Sequence, residues 1–123
     1  MKKRWVMGLL VGLVLLFSLT ACGELSSLSD TGDAFMSALN TGDHATSYQM
    51  LHPDIQAEVG GEAGWAEWAS IRNFESWKFD SSSFENNTGE LLGSAELDGV
   101  TYEVSLYFEK INDAWIINGI SFE

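Results

Sequence analysis

Two adjacent residues, Asp98-Gly99, restrict this chain more tightly than any others. An Asp-Gly pair between two apolar-alternating runs is a strong signal for a two-residue hairpin, because both residues accept the positive φ that a strand-matched turn requires. Here the pair joins residues 90–97 to residues 100–109 and sets the register. Leu97 meets Val100, Ala95 meets Tyr102, Gly93 meets Val104 and Leu91 meets Leu106. All eight fall on one face, and a slip of one residue would turn them all to solvent. Glu96, Thr101, Glu103 and Ser105 take the opposite face.

Further strands flank this hairpin. Residues 76–85 alternate, with Trp77 and Phe79 on one face against Lys78 and Asp80 on the other, and Asn86-Asn87-Thr88-Gly89 forms a turn. A last strand, 114–122, follows a tight turn near Asn112-Asp113. Its register stays open: Trp115 and Ile117 are apolar on one face, and Ile116, Ile120 and Phe122 on the other. A strand apolar on both faces is central or covered. Either register makes the outer face of the sheet a candidate homodimer surface.

The preceding chain has helical spacing. Leu28, Phe35, Ala38 and Leu39 form one stripe, in a helix starting at Ser29 or Asp30 and stopping at Asn40-Thr41-Gly42, with Gly42 as a left-handed cap. Asp43 caps a second helix from His44 to about Leu51, with Ala45, Tyr48 and Leu51 turned inward. Pro53 opens a short turn of helix over 54–59, which Gly60-Gly61 ends. Residues 62–72 make a further helix, with Trp65, Trp68, Ala69 and Ile71 on one side. Helices followed by a run of antiparallel strands give an α+β fold: N-terminal helices packed on a curved antiparallel sheet of about four strands.

The first 22 residues are of another kind. Lys2, Lys3 and Arg4 precede a 13-residue apolar run from Trp5 to Phe17, then small residues and the chain's one cysteine. That is a secretory signal layout. An uncleaved anchor would need about 20 apolar residues, and Ser18 and Thr20 interrupt this run. The ending Leu19-Thr20-Ala21-Cys22 resembles the lipobox of bacterial lipoproteins. The resemblance implies removal of residues 1–21 as a lipoprotein signal peptide, with Cys22 diacylated and retained as the mature N-terminus. Residues 22–28 are then the lipidated cysteine and a tether, and residues 29–123 the domain. Two or more acyl chains, at about 0.8 kcal/mol per buried methylene, hold a protein stably on a membrane. The implied location is the cell membrane or outer membrane, with the domain on the extracytoplasmic side and the membrane contacted through the lipid on Cys22.

Without its basic head the chain keeps three basic residues, Arg72, Lys78 and Lys110, against 18 acidic ones, a balance of −15. Such a surface repels nucleic acid and anionic head groups, so no nucleic-acid partner is expected. It suits solubility, and it could also steer a cationic ligand.

With the elements placed, a second resemblance emerges. Phe35, Leu39, Gly42, Asp43, Ala45, Tyr48, Leu51 and Pro53 are similar to the opening of the nuclear transport factor two-like, or SnoaL-like, superfamily: helix, Gly-Asp break, second helix ending in Leu-x-Pro. Trp115 to Phe122 resembles its closing strand. The resemblance implies a cystatin-like cone. Members that are isomerases or dehydratases place Asp, His or Tyr inside the cone. No residue here matches such a position, so no catalytic residue is assigned.

Other chemistry is sparse. His44 and His52 are eight apart, unlike the i, i+4 spacing of a zinc helix. Asp80, Glu85 and Glu90 could gather at one hairpin, but no calcium loop surrounds them, and solvated strand faces account for them better. Ser81, Ser82 and Ser83 lack a nucleophile elbow and a matching base. No metal or cofactor is expected. Aromatic residues are the notable excess. Trp65, Trp68, Trp77, Trp115, Tyr48 and Tyr102 fill the cone in the simpler account. In the functional account Trp65 and Trp68 form the mouth of an apolar pocket, with Tyr48, His52 and Arg72 as its nearest polar groups. The candidate ligand-binding residues are therefore Tyr48, Trp65, Trp68, Arg72, Trp77 and Tyr102. The favoured function is a membrane-anchored, non-enzymatic module that binds a small apolar ligand or an envelope protein. An isomerase- or dehydratase-like enzyme and an assembly lipoprotein dimerising through its sheet are the alternatives.

Overall fold

The computed structural model describes residues 23–123; the expected signal segment and Cys22 lie outside them. The first element, α1, is helical over 23–41, followed by α2 (His44–Gln49), α3 (Pro53–Glu58) and α4 (Gly61–Ala69). Four strands complete the chain: β1 (Ser76–Glu85), β2 (Thr88–Leu97), β3 (Val100–Ile111) and β4 (Ala114–Phe122). They form one antiparallel sheet in the order β1-β2-β3-β4. The helices pack on one face of this curved sheet, as the sequence predicts.

Residues 23–28 are not a tether but part of α1. The reason is packing: Leu28 is 0% exposed and extends the apolar stripe of Phe35, Met36 and Leu39, while Glu24 pairs with Lys110 of β3. Gly42, at φ 74°, ends α1 as expected. The amides of Gly42 and Asp43 donate back to the carbonyls of Leu39 and Ala38, at 3.3 and 2.9 Å, which is the hydrogen-bond pattern of a glycine-capped helix end. Asp43 then accepts from the Thr46 amide and hydroxyl, capping α2.

Two inward expectations are corrected. Ala45 is exposed, and Ser47 is the α2 residue that is buried, because its hydroxyl accepts a hydrogen bond from Trp65 Nε1 at 2.8 Å. Ile71 is 69% exposed, because α4 ends at Ala69 and the chain leaves helical spacing before Ile71.

The central hairpin has the predicted register throughout, from Leu97↔Val100 to Leu91↔Leu106. Asp98 and Gly99 take φ 52° and 78°. β2 begins at Thr88, two residues before the predicted start, because the turn needs only Asn86 and Asn87.

The register of β4 has a specific solution. Tyr107 pairs with Gly119 and Phe108 with Ile117, so Asn118 is an extra residue on β4. A bulge of one residue inverts the alternation beyond it. Trp115 and Ile117 before the bulge, and Ile120 and Phe122 after it, therefore all face the helices. One face takes both apolar sets except Ile116, which pairs with Glu109 on the outer face.

Candidate functional site

The site residues gather at one end of the sheet, where β2 stops, β3 starts and β4 ends, beneath the C-terminus of α4. Trp65 and Trp68 lie three residues apart on α4 and so share a side. Their rings stack at 4.8 Å between centroids. Trp65 is 1% exposed and also meets Phe35 at 6.0 Å, so it belongs to the core and not to a mouth. Trp68 is half-buried, and its outer neighbour is Phe122 at 6.0 Å. Phe74 continues the series, 4.8 Å from Phe122 and 5.7 Å from Tyr102, whose ring it meets edge-on at 74°. Five rings thus form one continuous series, in which Trp65 and Phe74 are buried and Trp68, Phe122 and Tyr102 half-buried.

Arg72 closes this rim. Its guanidinium lies 3.9 Å over the Trp68 ring, and Nη1 donates to the Trp68 carbonyl at 2.7 Å. A cation over an indole face is held by the ring quadrupole. Burial pulls the guanidinium below its ordinary value, while the neighbouring Tyr102 phenol raises it. It has no carboxylate partner within salt-bridge distance among the described residues, whereas Lys78 pairs with Asp80 at 3.2 Å and Lys110 with Glu24. An arginine stays charged under all ordinary conditions.

Trp77 and Tyr48, the other predicted residues, are held by contacts of their own. Tyr102 and Trp77 both oppose Ala95, one from each side, so they flank it on the helix-facing side of the sheet. Trp77 Nε1 donates to Asp33 Oδ1 at 3.1 Å, which ties β1 to α1. Tyr48 is half-buried against the core from α2, and its carbonyl accepts from Gln56 Nε2 at 2.9 Å. The structure joins Trp65, Trp68, Arg72 and Tyr102 through two residues that sequence reasoning did not select, Phe74 and Phe122. Phe74 sits in a connection without periodicity, and Phe122 belongs to the strand whose phase was open.

His52 caps α3: its Nδ1 accepts from the Asp54 amide at 3.1 Å, and Nε2 lies 3.4 Å from Glu109. Among the described residues no three His, Cys, Asp or Glu side chains are placed to hold a metal. Glu85 and Glu90 line one surface hollow of about 430 Å³ with Tyr107 and Asn118, but Asp80 lines a separate hollow with Leu92 and Glu103. The buried polar side chain among the described residues is Ser47. No helix among them is long and apolar enough to cross a membrane.

No protein-family model matches the chain, and no curated protein matches its sequence. Solved structures do match its fold. An NTF2-like protein of unknown function from Shewanella oneidensis is 19% identical, with a TM-score of 0.57 over 79% of this chain and 96% of that one. A DUF4783 family protein from Bacteroides uniformis is 14% identical, with a TM-score of 0.53 over 72% and 91%. A second NTF2-like protein of unknown function, from Cytophaga hutchinsonii, is 17% identical, with a TM-score of 0.51 over 77% and 88%. At these identities the likeness is one of architecture, and the chain has the NTF2-like α+β cone fold.

Proposed function

We propose that this protein is a lipid-anchored module of the cell envelope that binds a small apolar ligand or a protein segment at the aromatic rim of its cone. The observation that carries the reading is Arg72: a charged group lying on Trp68, beside Tyr102, without a carboxylate partner among the described residues. An apolar wall with one fixed cation selects a ligand that is apolar along its length and anionic at one end. Rings from the core support the wall, so binding would need little rearrangement. The lipobox-like ending at Cys22 supplies the anchor. The enzymatic alternative requires an acid–base group desolvated in the cone, and Ser47, which accepts from Trp65 Nε1, does not supply one.

The test is a tryptophan-fluorescence titration of the full chain in detergent with octanoate, and with octanol as its uncharged counterpart. Octanoate is expected to give a saturable change, weakened about tenfold or more by Arg72→Ala, in line with the loss of one charge-assisted hydrogen bond. Octanol should bind the unaltered protein and Arg72→Ala alike. Absence of a saturable change with either probe would sink the reading. The anchor is tested separately, by the mass of the membrane-bound product: loss of residues 1–21 with a diacylglyceryl adduct on Cys22 is expected, and an unmodified chain would refute it.

A further inference from the structure

The strand β1 is an edge of the sheet, and residues 80–85 along it are all exposed. Its centre reads Ser81-Ser82-Ser83-Phe84, with no proline or charge to discourage another strand from pairing there. Phe84 is 37% exposed. The two-residue hairpin closed by Glu85 and Thr88 fixes how the ladder alternates. Glu85 and Ser83 bond to β2, and Ser82 and Phe84 direct their amides and carbonyls to the open side.

We propose that this edge pairs with β1 of a second copy, antiparallel about a two-fold axis at Ser82, to make one continuous eight-stranded sheet. The register is dictated by β1 itself. Residues directly opposed in an antiparallel pair lie on the same face. About Ser82, Ser81 opposes the partner's Ser83. The bulge between Phe79 and Ser81 takes Asp80 out of the count. Phe84 then opposes the partner's Phe79, both on the helix-facing side with Trp77. Glu85 opposes the partner's Lys78, both on the outer face. The symmetry repeats each pair, so the interface carries two Phe–Phe contacts inside and two opposite-charge contacts outside. A regular strand would instead set Glu85 against Phe79 on one face, a carboxylate against an apolar ring. The bulge that bends β1 is therefore what makes it complementary to itself.

Two experiments on the full chain in detergent decide this. In a Cys22→Ala background, Ser82→Cys is expected to form a disulfide-linked dimer on mild oxidation, because opposed Cα atoms in a hydrogen-bonded antiparallel pair are about 5.5 Å apart, within disulfide reach. Glu103→Cys, on the outer face of β3, should stay monomeric. Cross-linking through Glu103→Cys in preference to Ser82→Cys would assign association to the sheet face and overturn the proposal. So would the absence of cross-linking at both. In sedimentation, Lys78→Glu and Glu85→Lys should each weaken self-association about tenfold, as reversal of two cross-strand charge pairs implies. The two changes combined should restore it, since they recreate the pairs with signs exchanged. Both side chains are exposed, so the fold tolerates them. A combined variant weaker than either single one would refute the register.

Discussion

The two edges of the sheet are finished in opposite ways. β4 is closed by its own chain: Leu51 makes a parallel bridge to Ile117, the Ile117 amide donates to the Met50 carbonyl at 2.9 Å, and the His52 amide donates to the Ile117 carbonyl at 2.7 Å. Leu51 and Ile117 are both buried. β1 has no such cover among the described residues, and its free margin is lined by serines. The difference follows the sequence. A strand carrying Trp115, Ile117, Ile120 and Phe122 would be a template for aggregation if its edge were bare, and the segment between α2 and α3 removes that edge. The serine edge is less hazardous alone. It stays available for a partner that can match it.

Cutting the cover should have the largest effect. Leu51→Ala removes a side chain that is buried between α2 and β4, and is expected to cost about 2–5 kcal/mol by chemical denaturation. The Ile117 amide should also exchange faster with solvent. Ser82→Ala on the bare edge should stay within about 0.5 kcal/mol at a concentration where the protein is monomeric. Equal losses at the two positions would mean that the edges are not different in kind. Next in size is Ser47→Ala. It leaves Trp65 Nε1 buried without its acceptor, and the cost of such an orphaned donor is about 1–3 kcal/mol. A neutral result would show that the serine–indole bond does not fasten α2, and with it the cover, to α4.

The hairpin around Asp98-Gly99 was fully legible because its information is local: a turn type and a period of two. β4 was not, although the signal stood in plain view. Its apolar residues change phase by one between Ile117 and Ile120, which is how a one-residue bulge at Asn118 appears in a sequence. Choosing between a bulge and two buried faces needs the partner strand. The start of α1 failed for a different reason. Gly23, Ser26 and Ser27 have the composition of a tether, and it takes the sheet to bury Leu28 and the pairing with Lys110 to hold Glu24. At the site, Trp68, Arg72 and Tyr102 were found by residue type alone. Phe74 and Phe122, which connect them, lie where neither periodicity nor turn chemistry fixes a direction.

The smallest effect concerns the cap that aims α2, and hence Leu51, at the β4 edge. The Thr46 hydroxyl and then the Thr46 amide, both bonded to Asp43, hold its carboxyl below the ordinary value of 3.8, with His44 adding a lesser lowering effect against slight desolvation. The folded state thus favours the charged carboxylate more than the unfolded chain does. Its contribution is fully present above the unfolded value and is lost as pH falls through the lower, folded one. Asp43→Asn keeps an acceptor for the Thr46 amide but does not titrate. Thermal melts from pH 6 to pH 2 should therefore show the native protein ahead of Asp43→Asn near neutrality, with the gap closing below about pH 4. A gap that stays constant across the acid range would mean that the cap works through geometry alone. The charge would then have no part in positioning the segment that covers β4.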